Sequence, residues 1–308
     1  MFVFHHITRT GGGTINYILR RNFGDKLLMI HGKEISKVLG YERNHPTGGS
    51  DALTKSLDDD ELQIILNQNK GIHCISSHSF KFPNKFSNFN VMVFIRNPID
   101  QILSLYYTLC KRFSGGRELP DYANCDFRNN FNSFKNYSDY ISNNYGIKNY
   151  CKNFQTHNID NFLNIDNAIK RLKEEFWFVG ITERFDESIL ILKNKFKQRG
   201  IDFDINYLNR NVNNNRIYKR SFVNSILNDY HENIINLNSM DIKLYDCANK
   251  ILDKQILNYE GDFYYDLNTI RKKLKFWTFY QNYYPVKLKN VTSKFFNLFK
   301  YKNSSQIN

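Results

Sequence analysis

Short apolar runs alternate with segments of helical periodicity over the first two thirds of the chain. The apolar runs are Met1–Ile7, Gly71–Ser77, Val91–Ile95 and Phe176–Ile181, and the helical segments are 58–69, 99–112, 164–175 and 187–199. Strands buried on both faces of a parallel sheet read as continuous apolar runs, and right-handed helical crossovers join them. The pattern therefore predicts an α/β fold with a central parallel sheet flanked by helices.

The remaining chain differs in pattern. Residues 215–260 favour helices, with one apolar stripe formed by Leu237, Met240, Leu244, Tyr245 and Ala248. The stretch 113–145 is rich in Asn, Ser and aromatic residues without a clear period, which indicates loops with a short helix. We expect one domain over 1–270 with a helical C-terminal region and an insertion at 113–147, followed by a basic aromatic tail over 271–308.

Composition narrows the class of protein. With 308 residues, of which 41% are hydrophobic, the chain can bury a sizeable core, which excludes a disordered or fibrous protein. A net charge of +13 favours anionic partners such as nucleotides, nucleic acid, acidic glycans or lipid head groups. The five cysteines form no CxxC pair and none of the Cys/His spacings of a zinc site. The sequence shows no pattern of a signal peptide and no apolar window long enough for a transmembrane helix, so we expect a cytoplasmic protein.

A glycine-rich turn joins the first apolar run to the first helical segment. It reads Thr10-Gly11-Gly12-Gly13-Thr14 and follows Arg9. Glycines let backbone N–H groups curl around a phosphate, and the helix N-terminus adds partial positive charge. The segment is either such a cradle or a plain tight turn. It is not a Walker A loop, because no Lys follows the glycines.

A second candidate site begins where the Val91–Ile95 run ends. Arg96 closes the predicted strand, Pro98 suits the first turn of the next helix, and Ser104 lies about two turns into it. If this helix folds back past the strand end, Arg96 and Ser104 converge on one phosphate. The alternative is an arginine that only caps neighbouring carbonyl groups.

The two features together resemble the sulfotransferases that use 3′-phosphoadenylyl sulfate (PAPS), in particular the carbohydrate, heparan-sulfate-type branch. The segment His6–Thr14 resembles the 5′-phosphosulfate loop of that family. The 3′-phosphate motif is matched at Arg96, Pro98, Ser104 and Tyr106, and Val179–Ser188 is similar to a third family segment. The resemblance extends over about residues 2–250.

The resemblance implies a P-loop-like fold and transfer of a sulfuryl group from PAPS to a hydroxyl of a carbohydrate or glycolipid, without a metal. The implied donor site consists of Arg9, Thr10, Gly11, Gly12, Gly13, Thr14, Arg96 and Ser104. Arg9 and the loop amides would stabilise the leaving phosphate, and His78 would act as general base. His6 would orient the loop. Arg9 replaces the family's Lys, Gly13 makes the loop register ambiguous by one residue, and Gln101 replaces an Arg.

Other interpretations stay open at this stage. One is a nucleotide kinase-like phosphoryl transferase, which the missing Walker lysine and Walker-B acid disfavour. Another is a non-catalytic basic module that binds nucleic acid or membrane, although the resemblance implies no nucleic-acid partner.

Three further segments carry weaker signals. The tail segment 271–302 is a solvated face, a glycan-holding surface or a peripheral contact with anionic membrane. Residues 182–186 predict a strand exit with capping of the next helix, and 211–216 a loop over the adenosine.

Overall fold

The computed structural model describes residues 1–30, 59–78, 80, 89–114, 131–145, 149–207 and 230–283. The strands in these residues are β1 (Phe2–His5), β2 (Leu27–Ile30), β3 (Cys74–Ser77), β4 (Asn90–Ile95) and β5 (Phe176–Ile181). They form one five-stranded sheet in the order β2-β3-β1-β4-β5, and every neighbouring pair is parallel. The predicted α/β class with a central parallel sheet is confirmed.

The central strands are buried because both of their faces are apolar. Val3 and Phe4 in β1 and Val93 and Phe94 in β4 are fully inaccessible to solvent. The edge strand β2 was not predicted from the sequence. Its first three residues are only half-buried, and it follows the first helix after a single 3₁₀ turn, so neither a long apolar run nor a clear boundary marks it.

Helices flank the sheet. They are α1 (Gly12–Phe23), α2 (Asp59–Gln68), α3 (Pro98–Ser114), α4 (Phe131–Tyr145), α5 (Phe154–Ile159), α6 (Ile165–Glu174), α7 (Phe185–Lys197), α8 (Ser239–Leu257) and α9 (Phe263–Tyr283). Helix α1 packs on β2 and β3, helices α6, α7 and α8 pack on β5, and α9 packs on α7. No helix in the described ranges is both long and apolar enough to cross a bilayer.

Two expectations about the outer parts of the chain change. The helix expected in the segment 113–145 is longer than predicted, because it is the 15-residue helix α4 over the second half of the segment. Helix α9 is continuous across residue 271, where the sequence suggested that a tail begins. The predicted loop 211–216 and the tail residues beyond 283 lie outside the described residues.

The strand order places a crevice beside β1. The chain leaves β1 for β2 and β3 on one side and then crosses to β4 and β5 on the other. In open parallel sheets, ligands bind at such a change of direction, outside the carboxyl ends of the strands. The glycine turn, His78 and Arg96 all directly follow carboxyl ends, those of β1, β3 and β4.

Candidate functional site

The turn between β1 and α1 has a backbone conformation that depends on glycine. Gly11 precedes the helix with φ of 89°, in the left-handed region that glycine adopts without a steric cost. Arg9 has φ of 68°, which is uncommon for a residue with a side chain and costs about 1 kcal/mol. Strain of this kind persists only where the surrounding structure holds it in place.

Side chains hold this turn through its backbone carbonyl groups. Each carbonyl from His6 to Thr10 accepts a side-chain hydrogen bond. The donors are His78 Nδ1 to His6 (2.6 Å), Thr10 Oγ1 to Ile7 (2.9 Å), Gln101 Nε2 to Thr8 (2.8 Å), Arg96 Nη1 to Arg9 (2.9 Å) and Thr182 Oγ1 to Thr10 (2.9 Å). We call these five donor side chains the carbonyl clamp.

The carbonyl clamp also fixes the direction of the N–H groups of residues 7–11, which share peptide planes with the carbonyls of residues 6–10. A trans peptide is planar, with its carbonyl and N–H on opposite sides, so fixing one group fixes the other. Of the first N–H groups of α1, which begins at Gly12, those of Gly12 and Gly13 precede the hydrogen bonds of the helix, whereas the Thr14 N–H donates to the Gly11 carbonyl at 3.0 Å. Backbone donors at the start of a helix, held in a rigid turn, form a geometry that binds anions.

Two arginines add positive charge at this turn. Arg9 Nε donates to Ser104 Oγ at 2.8 Å, and Arg96 reaches the carbonyl of Arg9 from the end of β4. Burial lowers the pKa of Arg9, and the nearby positive charge of Arg96 lowers it further. Two guanidinium groups that repel each other in a partly buried place are stabilised by a bound anion.

The carboxylates near Arg96 offset its charge only in part. Burial lowers the pKa of Arg96, while Asp100 and Glu183 act in the opposite direction. Arg96 Nε lies 3.7 Å from Glu183 Oε1, beyond hydrogen-bond distance, and has no hydrogen-bond partner within the described part of the chain. Burial in turn raises the pKa of Glu183. Two carboxylates thus accompany the two arginines, and Arg96 Nε still has no hydrogen bond among the described residues.

Arg96 is anchored through its backbone by a buried glutamine. Gln155, in α5, is fully inaccessible to solvent. Its Oε1 accepts from Arg96 N at 2.9 Å, and its Nε2 donates to Arg96 O at 2.7 Å. The Gln155 backbone N–H donates in turn to Asp241 in α8 at 2.9 Å. Two helices that are distant along the sequence, α5 and α8, thus fix the backbone position of Arg96, from which its side chain extends.

His78 and His6 stand side by side next to the glycine turn. Their ring centroids are 3.7 Å apart. Because the Nδ1 proton of His78 goes to the His6 carbonyl, the basic lone pair of the neutral ring is on Nε2. The His6 ring occupies the space in front of Gly12, where an added Cβ would lie 1.6 Å from His6 Nε2.

The fold brings the predicted site residues together, with some changes in their contacts. Arg9, Arg96 and Ser104 meet at the turn formed by residues 10–14, but Ser104 contacts Arg9 rather than Arg96. The Thr10 hydroxyl, proposed as a donor to a ligand, donates to the Ile7 carbonyl instead. Gly13 is exposed in the first turn of α1, and Thr14 is buried.

The prediction of helix capping by residues 182–186 is wrong. Arg184 stands at the N-cap of α7, and no side chain there makes a capping hydrogen bond. Thr182 instead donates to the glycine turn, and Glu183 Oε1 accepts from the backbone of Asn97. Both residues therefore belong to the site.

Sequence reasoning missed the roles of three residues. The sequence indicates helix capping for Thr182, only a lost positive charge for Gln101, and no role for Gln155. Each acts on a carbonyl or N–H group far away in the sequence, and no local pattern indicates such a contact. Gln101 and Gln155 are both fully buried. The signal that the sequence offers for such a contact is a polar residue among the apolar residues of a helix.

Comparisons of the chain with models of protein families, with curated protein sequences and with solved structures find no match.

Proposed function

We propose that this protein transfers a sulfuryl group from PAPS to a hydroxyl of a carbohydrate or glycolipid acceptor, on a P-loop-like fold. The observation that carries the proposal is the meeting of Arg9, Arg96 and Ser104 at the glycine turn. A nucleotide with phosphate at both its 5′ and 3′ positions would supply the negative charge that these residues require. The sugar acceptor rests on the motif resemblance alone.

The strand order supports the same proposal. The glycine turn follows β1, the middle strand of the sheet, and Arg96 follows its neighbour β4. In the proposed complex, the amides of residues 10–14 and the Arg9 guanidinium bind the 5′-phosphosulfate, and Arg96 with Ser104 binds the 3′-phosphate. Arg9 carries five N–H donors, so its contact with Ser104 leaves others for the ligand.

The proposed reaction is a displacement at sulfur. The acceptor oxygen forms a bond to sulfur, and the bond from sulfur to the bridging oxygen of the 5′-phosphate breaks. Adenosine 3′,5′-bisphosphate leaves, and the acceptor proton moves to a base. Negative charge builds on the bridging oxygen, so fixed N–H donors and a guanidinium beside it lower the barrier.

His78 is the proposed base. Its Nδ1–H donates to the His6 carbonyl, so the basic lone pair of the neutral ring is on Nε2, the atom that would accept the proton from the acceptor hydroxyl. Its position after β3, next to β1 in the sheet, places it at the same crevice as the glycine turn. The hydrogen bond also orients the ring before the substrate arrives.

Calorimetric titration in the presence of a chelator tests the donor site. We expect adenosine 3′,5′-bisphosphate to bind, adenosine 5′-monophosphate to bind more weakly, and ATP not to bind. Binding of ATP with magnesium but not of the bisphosphate would favour the kinase-like alternative. Salt-dependent binding of nucleic acid or vesicles without any nucleotide binding would favour the non-catalytic module.

The variant Arg96→Ala tests which phosphate Arg96 contacts. Loss of a charge-assisted hydrogen bond worth about 1.5–3 kcal/mol predicts roughly 10- to 100-fold weaker binding of the bisphosphate, with a smaller loss for the monophosphate. The control is Arg199→Ala, because Arg199 is exposed and contacts Asn90, at the end of β4 opposite to Arg96. Equal losses for both nucleotides would remove Arg96 from the 3′-phosphate site.

A further inference from the structure

Helix α9 has one face that packs against the protein and one that does not. Phe263 and Leu267 are buried, and Ile270 packs against the core, at the spacing of a single helix face. On the other side, Tyr264, Tyr265 and Phe276 are 72%, 68% and 67% exposed. Aromatic side chains exposed to this degree on one helix mark a surface of contact rather than a solvated face.

Basic residues stand between these aromatic residues. Arg271, Lys272, Lys273 and Lys275 are all exposed. The helical period places Tyr265, Lys272 and Phe276 along one line, opposite the buried face. We call Tyr264, Tyr265, Lys272, Lys275 and Phe276 the outer face of α9. From Leu267 to Asn308 the sequence contains no Asp or Glu, and of the four basic residues Arg271 pairs with Asp186.

We propose that the outer face of α9 binds the surface of an anionic lipid bilayer. A helix that presents aromatic rings and lysines on one side lies in the plane of the membrane, with its rings at the level of the head groups. Lysine side chains extend past the rings to the lipid phosphates. The chemistry recognised is a flat array of negative charge above an apolar layer, which satisfies both kinds of side chain.

The position of α9 links this surface to the glycine turn. Arg271 Nε contacts Asp186 Oδ2 at 3.1 Å, and Asp186 lies in the first turn of α7. Thr182, four residues earlier, donates to the turn itself. Helix α9 therefore lies between the proposed bilayer and α7, which begins three residues after Thr182. The idea that such a bilayer would present a glycolipid acceptor to the site rests on the proposed function, whereas the proposal of a membrane-binding surface does not.

Sedimentation of the full chain with vesicles tests the proposal. We expect binding to phosphatidylcholine vesicles that contain 30% phosphatidylserine, weak binding to pure phosphatidylcholine, and a decrease with added salt. Each lysine near an anionic surface contributes about fivefold, so Lys272→Glu with Lys275→Glu should weaken binding at least about 25-fold. Tyr265→Ser with Phe276→Ser should weaken binding while keeping its dependence on salt.

The matched control is Lys26→Glu with Lys70→Glu, which makes the same change in charge on exposed residues away from α9. This control should bind vesicles within a factor of a few of the unmodified chain. An equal loss in the control, no binding to anionic vesicles, or tighter binding of single-stranded RNA through the same residues would overturn the proposal. Titration of all variants with adenosine 3′,5′-bisphosphate separates this result from the outcome of the proposed function.

Discussion

His6 fills the space that a side chain at position 12 would need. Its ring stacks on Phe4, with centroids 5.2 Å apart, and on His78. Asn16 Nδ2 lies 3.5 Å from His6 Nδ1, and Ser76 holds Asn16 in turn. With neighbours on several sides the ring has little freedom to move. The absence of a side chain at Gly12, which is buried, is therefore a packing requirement.

The substitution Gly12→Ala tests this packing. The added methyl group would overlap the His6 ring, and overpacking of this kind costs about 1–3 kcal/mol. We expect a lower free energy of unfolding in urea and weaker binding of the bisphosphate. In a His6→Ala background the same change should cost little, because the ring is gone. A loss of the same size in both backgrounds would contradict the packing explanation.

The proposed base His78 also makes a prediction at the scale of a single residue. His78→Ala should lower turnover at least about a hundredfold, because general-base catalysis contributes that much, and should weaken binding of adenosine 3′,5′-bisphosphate only severalfold, because the His6 carbonyl loses its donor. The assay is transfer of labelled sulfate from PAPS to a panel of glycans. His73→Ala, an exposed histidine just before β3, is the control. Unchanged turnover in His78→Ala would assign the base to another residue.

At the scale of elements, the carbonyl clamp joins four parts of the fold to one turn. Its donors come from the turn itself, from the residue after β3, from the end of β4 with α3, and from the residue after β5. Each donor satisfies a carbonyl that would otherwise need water or another partner. The turn is therefore positioned by the sheet as a whole, and a change in any of these elements reaches it.

The variant Thr182→Val removes one donor of the carbonyl clamp while keeping the shape of the side chain. We expect a loss of about 1 kcal/mol in the free energy of unfolding and severalfold weaker bisphosphate binding, because the Thr10 carbonyl loses its partner. Thr108→Val is the control, since among the described residues the Thr108 hydroxyl donates to the backbone carbonyl of Ser104, one helical turn earlier, and not to the glycine turn. Equal affinities in the two variants would show that this bond does not support the site.

The sequence predicts the elements of this site better than their contacts. The glycine turn, Arg96 and His78 could be located because each follows an apolar run, and parallel strands bring such positions to one edge. The pairing of Arg9 with Ser104 could not be predicted, since it depends on how α3 leaves β4. The role of Gln155 depends on a hydrogen bond across 59 residues, which no local pattern encodes.

At the scale of the whole molecule, a buried polar network ties the C-terminal helices to the sheet. Asp241 is 1% exposed and accepts hydrogen bonds from Gln155 N and from both the N–H and the hydroxyl of Thr156. Asn153 and Asn238 join the same two segments. The network connects α8 through α5 to Arg96. Burial raises the pKa of Asp241 to about 6, although these hydrogen bonds act to lower it.

The raised pKa of Asp241 predicts a dependence of stability on pH. The neutral acid is favoured in the folded state, so its stabilising effect is complete below the ordinary pKa of 3.8 and is lost as the pH rises through about 6. Asp241→Asn stays neutral. Its free energy of unfolding relative to the unmodified protein should therefore rise by on the order of 3 kcal/mol between pH 4 and pH 7.

Urea unfolding at several pH values measures this difference, and any constant effect of the amide cancels between them. Asp246→Asn, an exposed position on the same helix, is the control and should show little change over this range. A difference that does not vary with pH for Asp241→Asn would show that the carboxyl titrates normally in the folded protein.

The fixed carbonyl groups of residues 6–10 have a consequence for how quickly the turn can capture a ligand. Ordering a flexible loop around a nucleotide would add an entropic penalty to every encounter. Here the main chain of residues 6–10 is already fixed by folding, so at this turn a ligand requires movement of the arginine side chains and not of this backbone. Association should consequently proceed in a single kinetic phase, without a slow rearrangement of the loop.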